Sequence, residues 1–353
     1  MKKCIFVIGM HRSGTSAMAR VINILGIDLG TNLYPPKPHN PSGLWEHKKI
    51  MEIHEALFDY LGLPWLDYLS PLPDNWWQNE KIKPLKQELT NIVSSEFIQS
   101  SVWGLKDPRL CRLMPLWHSI LQDISFSPHF IYIFRNPFEV AVSLGKRNKL
   151  SVNVSLLLWL QYILESELAT RGYPRVFISF NQLMADWRST VARIEQALNI
   201  QWPESVEQVS NQVENFLSPD LKHHNLPETF TREELDRFPL IIKSYNALLS
   251  ASNAQDPDLD RIFCDVFDIW KSGIVSEPCR MLIDDLRFHR LRYNELSYKY
   301  EEKEEQLTQL KEALLNTNSR LNEIQNTKSW KITAPLRSRN LNQFYASIKK
   351  FFF

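Results

Sequence analysis

The sequence has little that would staple it, anchor it or give it a strong field. Its four cysteines, Cys4, Cys111, Cys264 and Cys279, are scattered, and none forms a Cys-x-x-Cys. Such spacing argues for a reduced, cytoplasmic setting over a disulfide framework or a zinc site. Neither charge is in excess: 41 Lys and Arg stand against 40 Asp and Glu, so the global footprint of a nucleic-acid binder is missing. No long hydrophobic run occurs. The densest, Leu156 to Leu164, is too short to span a bilayer and is interrupted by Gln161. No secretory signal is expected either, because a strand and its loop begin at once. A soluble or peripheral protein is the expectation. With 353 residues, the chain has room for one large domain plus an appendage, or for two domains.

The first informative stretch is Cys4 to Ser16. An apolar run, Cys4 to Ile8, leads into a loop bounded by Gly9 and Gly14, and Ala17 to Leu25 reads as a helix. Strand, glycine loop and helix is the arrangement that points backbone N–H groups at a phosphate. The spacing is that of a nucleotide P-loop, with one departure. Thr15 stands where an NTPase carries Lys before the Ser/Thr, and the cation sits earlier, at Arg12. Without that lysine the Mg-NTP chemistry of kinases and hydrolases loses its main cation, so no metal is expected. Read alone, the loop also fits a tight strand–helix turn with no ligand.

Further along, strands alternate with helices, which argues for a parallel α/β sheet. Helices are expected over about 49–61, 79–99, 110–121, 138–149, 153–171 and 188–198. Val102 to Leu105 reads as a short buried strand ending in Lys106-Asp107-Pro108-Arg109, where Pro108 stops it. Phe130 to Phe134 is a strand rich in β-branched and aromatic residues, ending on Arg135-Asn136-Pro137. Arg175 to Phe180 is another. In open α/β sheets such strand ends form the ligand edge. Ser143 and Arg147 lie four apart and share a helix face. Trp65, Trp76 and Trp77 sit among prolines and read as core-edge packing before a sugar-binding face. From 203 to 275 the pattern weakens to helical runs such as 232–249 and a polar loop with His223, His224 and Asn225.

A different regime starts near Met281. Leu286, Tyr293, Tyr300, Leu307, Leu314 and Leu321 recur every seven residues, and Leu282, Leu296, Leu310 and Ile324 form a companion set broken by His289, Lys303 and Thr317. This pattern fits a coiled-coil seam, and so a homo-oligomer, or a single amphipathic helix packed on its own domain. The tail from Ser329 carries Lys331, Arg337, Arg339, Lys349 and Lys350, no acidic residue, and ends in three phenylalanines. Basic plus aromatic character fits peripheral contact with an anionic membrane face, and a frayed terminus fits as well. The expected fold is thus a P-loop-like parallel α/β sheet flanked by helices (1–275), a coiled-coil or long helical extension (281–328), and a basic aromatic tail (329–353).

Two anion-binding segments meet at one sheet edge. Arg12, Ser13, Gly14, Thr15 and Ser16 form the phosphate loop. Arg135 and Ser143 form an Arg-x7-Ser pair, a strand-end guanidinium with a hydroxyl on the next helix, and this pair suits a second, isolated phosphate. Gly9-Met10-His11-Arg12-Ser13-Gly14-Thr15-Ser16 and Arg135 to Ser143 together resemble the two signature motifs of the sulfotransferase superfamily. In that family the first binds the 5′-phosphosulfate and the second the 3′-phosphate of 3′-phosphoadenosine 5′-phosphosulfate (PAPS). Lys106-Asp107-Pro108-Arg109 is similar to a lysine segment of tyrosylprotein and bacterial members. Phe180-Asn181-Gln182-Leu183 resembles the family's late strand–helix pair. The likeness covers roughly residues 1–205. A C-terminal Gly-x-x-Gly-x-x-Lys of the cytosolic small-molecule type is missing, which argues against a phenol or steroid acceptor and leaves the adenine end unassigned.

The resemblance implies PAPS as co-substrate and sulfuryl transfer to a hydroxyl or amine. Arg12 and Lys106 are candidates to neutralise the bridging and sulfuryl oxygens, with Ser13, Gly14, Thr15, Ser16, Arg135, Ser143 and Arg147 holding the nucleotide. Glu46 is the candidate base. It closes Asn40-Pro41-Ser42-Gly43-Leu44-Trp45-Glu46, which looks like the Asn-Pro-x-Gly-aromatic-Glu stretch of bacterial members. His47, His11 and His54 are its rivals, and a helix-capping carboxylate is the bland reading of Glu46. Ser329 to Arg337 resembles a C-terminal segment of bacterial cell-surface polysaccharide enzymes and tilts the acceptor toward a glycan. Two readings from other classes stay open: a small-molecule P-loop kinase, and a non-catalytic nucleotide-binding scaffold working through its coiled coil.

Overall fold

The computed structural model describes residues 2–35, 43–63, 72–217, 231–253, 258–274 and 277–326, with Lys328 and Lys331. The expectations placed on Asn40 to Ser42, Trp65, His223 to Asn225 and the tail beyond Lys331 lie outside these residues. The chain divides into two compact units, Met1–Arg280 and Met281–Phe353.

In the first unit β1 (Lys2–Ile8) leads to α1 (Thr15–Ile24) and α2 (Lys48–Tyr60). Two 3₁₀ turns, Trp76–Gln78 and Glu80–Ile82, precede α3 (Lys83–Glu96). Then come β2 (Val102–Lys106), α4 (Leu110–Asp123), β3 (Phe126–Phe134), α5 (Pro137–Asn148), α6 (Val152–Thr170) and β4 (Arg175–Ser179). Helices α7 (Phe180–Ala185), α8 (Trp187–Leu198), α9 (Val206–Phe216), α10 (Arg232–Arg237), α11 (Pro239–Ser252) and α12 (Leu259–Ile274) follow. The sheet order is β2-β1-β3-β4, and every pairing is parallel, with Phe6 opposite both Leu105 and Phe130.

Parallel strands are covered on both faces, so their sequences read as continuous apolar runs. Alternation assigns each residue to one of two cores. Cys4, Phe6 and Ile8 join Phe130, Tyr132 and Phe134 on the face covered by α4, α6 and α11. Ile5 and Val7 join Ile131, Ile133 and Ile178 on the face covered by α1 and α8. Each fully buried side chain of this size contributes about 1.5–3 kcal/mol. Helix α6 is apolar nearly all round because it is itself buried, from Ser155 to Thr170. Trp76 is buried against the first core, as the packing reading expected.

Three of the differences from the expectation have a local physical reason. β3 begins at Phe126, earlier than the apolar run, and so includes Pro128. Phe130 donates its N–H to Pro174 on the β4 side. Pro128, two residues earlier, would aim its missing N–H the same way, where β4 has not yet begun, so the sheet loses nothing. The segment 232–249 is two helices and not one, since Phe238 leaves helical geometry and Pro239 opens α11. Phe180 is helical and not part of the last strand. Ser179 and Gln182 form a capping box that starts α7 there.

The long helix α13 (Glu277–Asn326) runs for 50 residues, about 75 Å. The side chains of Tyr293, Leu296, Tyr300, Leu307, Leu310, Leu314, Leu321 and Ile324 are exposed along it. Among the described residues no helix is long and apolar enough to cross a membrane.

Candidate functional site

All four strands point the same way, so the segments that follow Ile8, Lys106, Phe134 and Ser179 meet at one edge. The phosphate loop is held there by close approach. A Cβ on Gly9, at φ 151°, would lie 2.1 Å from the Ile133 carbonyl oxygen, and one on Gly14, at φ 93°, would lie 2.3 Å from the Phe180 ring. Both positions therefore need glycine. Gly14 is the N-cap of α1 and supplies no side chain to cap it. Helix geometry leaves the first-turn N–H groups of Thr15 and Ser16 without intrahelical acceptors, facing the loop. The Ser13 hydroxyl is fully buried and has no hydrogen-bond partner among the described residues.

Arg12 has φ 68°, a left-handed conformation that costs a non-glycine residue about 1–2 kcal/mol. Its Nε donates to Ser143 Oγ at 2.8 Å, joining the loop to α5. Arg135, at the end of β3, donates from Nε to Glu139, and its guanidinium lies 5.0 Å from the centre of the Phe180 ring. Arg147, one turn beyond Ser143, bonds Asn148 Oδ1 at 2.6 Å. These guanidinium groups feel one another. Burial lowers Arg12 from its ordinary value, and the charges of Arg147 and Arg135 lower it further.

A second cluster forms beside β2. Lys106 Nζ donates to Glu46 Oε1 at 2.5 Å, to the Leu44 carbonyl at 3.0 Å and to Ser16 Oγ at 3.1 Å. Lys106 and Glu46 are both buried. Burial pushes the Glu46 carboxyl up and Lys106 opposes it, leaving it above its ordinary value. Below this pair, Asp107 accepts from the Arg109 backbone N–H at 2.9 Å and from its guanidinium at 3.1 Å, and Arg109 reaches Glu55 at 2.6 Å. Burial would raise Asp107, but Arg109 and the bond from His54 outweigh it and hold the carboxyl well below the usual carboxylate range.

The three rival histidines separate clearly. His47 caps α2, its Nδ1 accepting the Ile50 N–H at 3.3 Å while Nε2 lies 3.1 Å from Glu96. His54 bonds Asp107 through Nδ1 at 2.8 Å and accepts from the Trp117 indole through Nε2 at 2.9 Å. Both rings are thus engaged at both nitrogens. His11 lies in the loop itself, 5.6 Å from Tyr162 between ring centres. Burial, then Arg147 and Arg109, keep it neutral by lowering it well below its ordinary value.

Every residue that sequence reasoning singled out for this edge, from Arg12 to Ser16 together with Glu46, Lys106, Arg135, Ser143 and Arg147, lies in one or other of the two clusters. It missed Glu139, although an acid four residues after Arg135 on a helix is a readable signal. It missed Phe180 as the ring beneath Gly14 and Arg135, and the Asp107–His54–Trp117 chain, which no local pattern announces. Among the described residues no group of three His, Cys, Asp or Glu side chains could hold a metal ion.

Fold and site together define an open α/β sheet with a tight glycine loop and buried cationic side chains at its C-terminal edge. No family model matches the chain, and no curated protein matches it. Solved structures similar to the chain include two sulfotransferase domains. The sulfotransferase domain from the Synechococcus PCC 7002 olefin synthase is 16% identical, over 70% of this chain and 96% of that one, with a TM-score of 0.36. The sulfotransferase domain from the curacin biosynthetic pathway is 15% identical, over 70% of this chain and 98% of that one, with a TM-score of 0.38.

Proposed function

We propose that this chain is a PAPS-dependent sulfotransferase acting on a glycan hydroxyl in the cytoplasm. The observation that carries the reading is the convergence of Arg12, Arg135 and Arg147 on the glycine loop, where the charges of Arg135 and Arg147 bear on Arg12. Such a cluster favours a ligand with several negative charges. The residues fit a nucleotide phosphorylated at two places. The N-terminus of α1 with the buried Ser13 hydroxyl suits one phosphate, and Arg135 with Ser143 suits the other. The Ser143 hydroxyl accepts from Arg12 and still has a proton to donate.

Bound there, PAPS supplies an activated sulfuryl group. The chain's own residues hold and orient it, and Arg12 and Lys106 face the charge that develops on its oxygens. Glu46 takes the acceptor's proton. Its contact with Lys106 keeps the carboxylate fixed at the edge, and burial keeps its affinity for a proton above that of an exposed glutamate. Sulfate transfer from labelled PAPS to a panel of glycan, peptide and phenol acceptors tests the reading. Turnover of Mg-ATP without any sulfate transfer would favour the kinase instead, and failure to bind 3′,5′-adenosine bisphosphate would favour a scaffold. The exposed apolar seam of α13 supports a second reading beside catalysis, a homo-oligomer joined through that helix, with the basic aromatic tail resting at an anionic membrane surface.

A further inference from the structure

A cavity of about 510 Å³ opens among α4, α6, α12 and the 3₁₀ turn at Trp76. None of its lining residues belongs to the phosphate loop, the Lys106–Glu46 pair or the Arg135 cluster. Its walls are aromatic. Half-buried Trp77 stands 6.2 Å from the buried Trp76 behind it, at 87°, and Trp270 and Phe267 come from α12, half-buried. Its floor is polar. Glu165 accepts from Arg112 Nε at 2.7 Å and from Gln161 Nε2 at 2.8 Å, and Arg112 and Gln161 are almost wholly buried.

The charges narrow the ligand. Arg112 and Glu165 cancel at the floor, and Asp74 and Lys271 are one of each sign among the remaining lining residues. A small anion or cation gains little from such a balance. A purely apolar ligand would take the exposed side of this polar floor from water, which is costly. What remains is a neutral molecule with an apolar face and many hydroxyl groups. The C–H face of a pyranose lies well on an indole ring, and its hydroxyls can both donate and accept, which suits a floor that mixes a carboxylate, an amide and a guanidinium. The volume falls in the range of small-molecule sites, about 300–1,000 Å³.

We propose that this cleft is a saccharide-binding site, distinct from the nucleotide edge and independent of the transfer reading. Saturation-transfer NMR and calorimetry on the full chain, with cellobiose, chitobiose and N-acetyllactosamine as probes and choline and octanoate as controls, test it. At least one disaccharide is expected to bind at millimolar concentration. Trp270→Ala should weaken that binding roughly tenfold, the loss of one aromatic anchor, and leave 3′,5′-adenosine bisphosphate affinity unchanged. Glu165→Gln should weaken it as well. Because that change strips Arg112 of its carboxylate and can unfold the chain, the half-buried Trp270 carries the test. Binding of no disaccharide, equal binding by Trp270→Ala, or displacement by choline or octanoate overturns the proposal. A chain that binds a disaccharide through Trp270 but no nucleotide leaves the cleft standing and removes the transfer reading instead.

Discussion

Two cationic clusters share one sheet edge and are built in opposite ways. Around the glycine loop, Arg12, Arg135 and Arg147 crowd together, and Arg12 is lowered by burial and then by the other two. Beside β2, the buried Lys106 is matched by Glu46 at 2.5 Å. Crowded charge of one sign attracts a polyanion and grips it. Matched charge exerts little pull at a distance but fixes a carboxylate where a proton must be taken. On the proposed function, the difference separates the work of holding a nucleotide from the work of transferring a group.

The sharpest way to break this comparison is Glu46→Gln. If the matched pair serves chemistry alone, turnover should fall about 10²–10⁴-fold with PAPS affinity near that of the unaltered chain, measured by single-turnover kinetics and calorimetry. Full activity in Glu46→Gln, with activity abolished in His11→Ala, would move the base to the loop. The same carboxylate sets a pH dependence. Since Glu46 is held above its ordinary value, its basic form is lost, as pH falls, at a higher pH than for an exposed glutamate. The acid limb of the pH–rate profile should therefore lie above that of an ordinary glutamate, with nucleotide affinity not following it. A limb at the ordinary glutamate value would show that another group is titrating.

Smaller effects test the crowded cluster. Arg135→Ala should cost 3′,5′-adenosine bisphosphate about 1.5–3 kcal/mol of binding, with a lesser loss for 5′-AMP. Equal losses for the two ligands would remove the 3′-phosphate assignment. Ser143→Ala, which deletes the acceptor of Arg12 Nε, should cost about 0.5–1.5 kcal/mol. The smallest expected change comes from ending the chain at Arg280. Nucleotide affinity should stay the same, and sedimentation should show fewer chains per particle. An unchanged number of chains per particle would remove a homo-oligomer joined through α13.

The sheet was largely legible because strands buried on both faces leave apolar runs such as Cys4 to Ile8 and Phe130 to Phe134. Its start at Phe126 was not, since Pro128 reads locally as a breaker and is tolerated only because β4 begins further along. The break at Pro239 was overlooked within an otherwise helical run. In the site, the loop and the Arg-x7-Ser spacing are local patterns. The contact of Arg12 with Ser143 spans 131 residues and that of Lys106 with Glu46 spans 60. Such contacts follow from strand order, which no window of sequence contains. The engagement of His47 and His54 at both ring nitrogens was equally hidden, because their partners Glu96, Asp107 and Trp117 come from other elements.

The ring of Phe180 beneath Gly14 has a consequence for how the protein is made. The glycine loop is completed by side chains that leave the ribosome much later, Ser143 on α5 and Phe180 at the start of α7. Closing such long loops is slow and cannot begin before the distal partner exists. During synthesis, the glycine loop therefore waits for most of the sheet before the proposed anion site is complete. A nascent chain stalled before Phe180 has emerged should bind no nucleotide, whereas one stalled after α8 should.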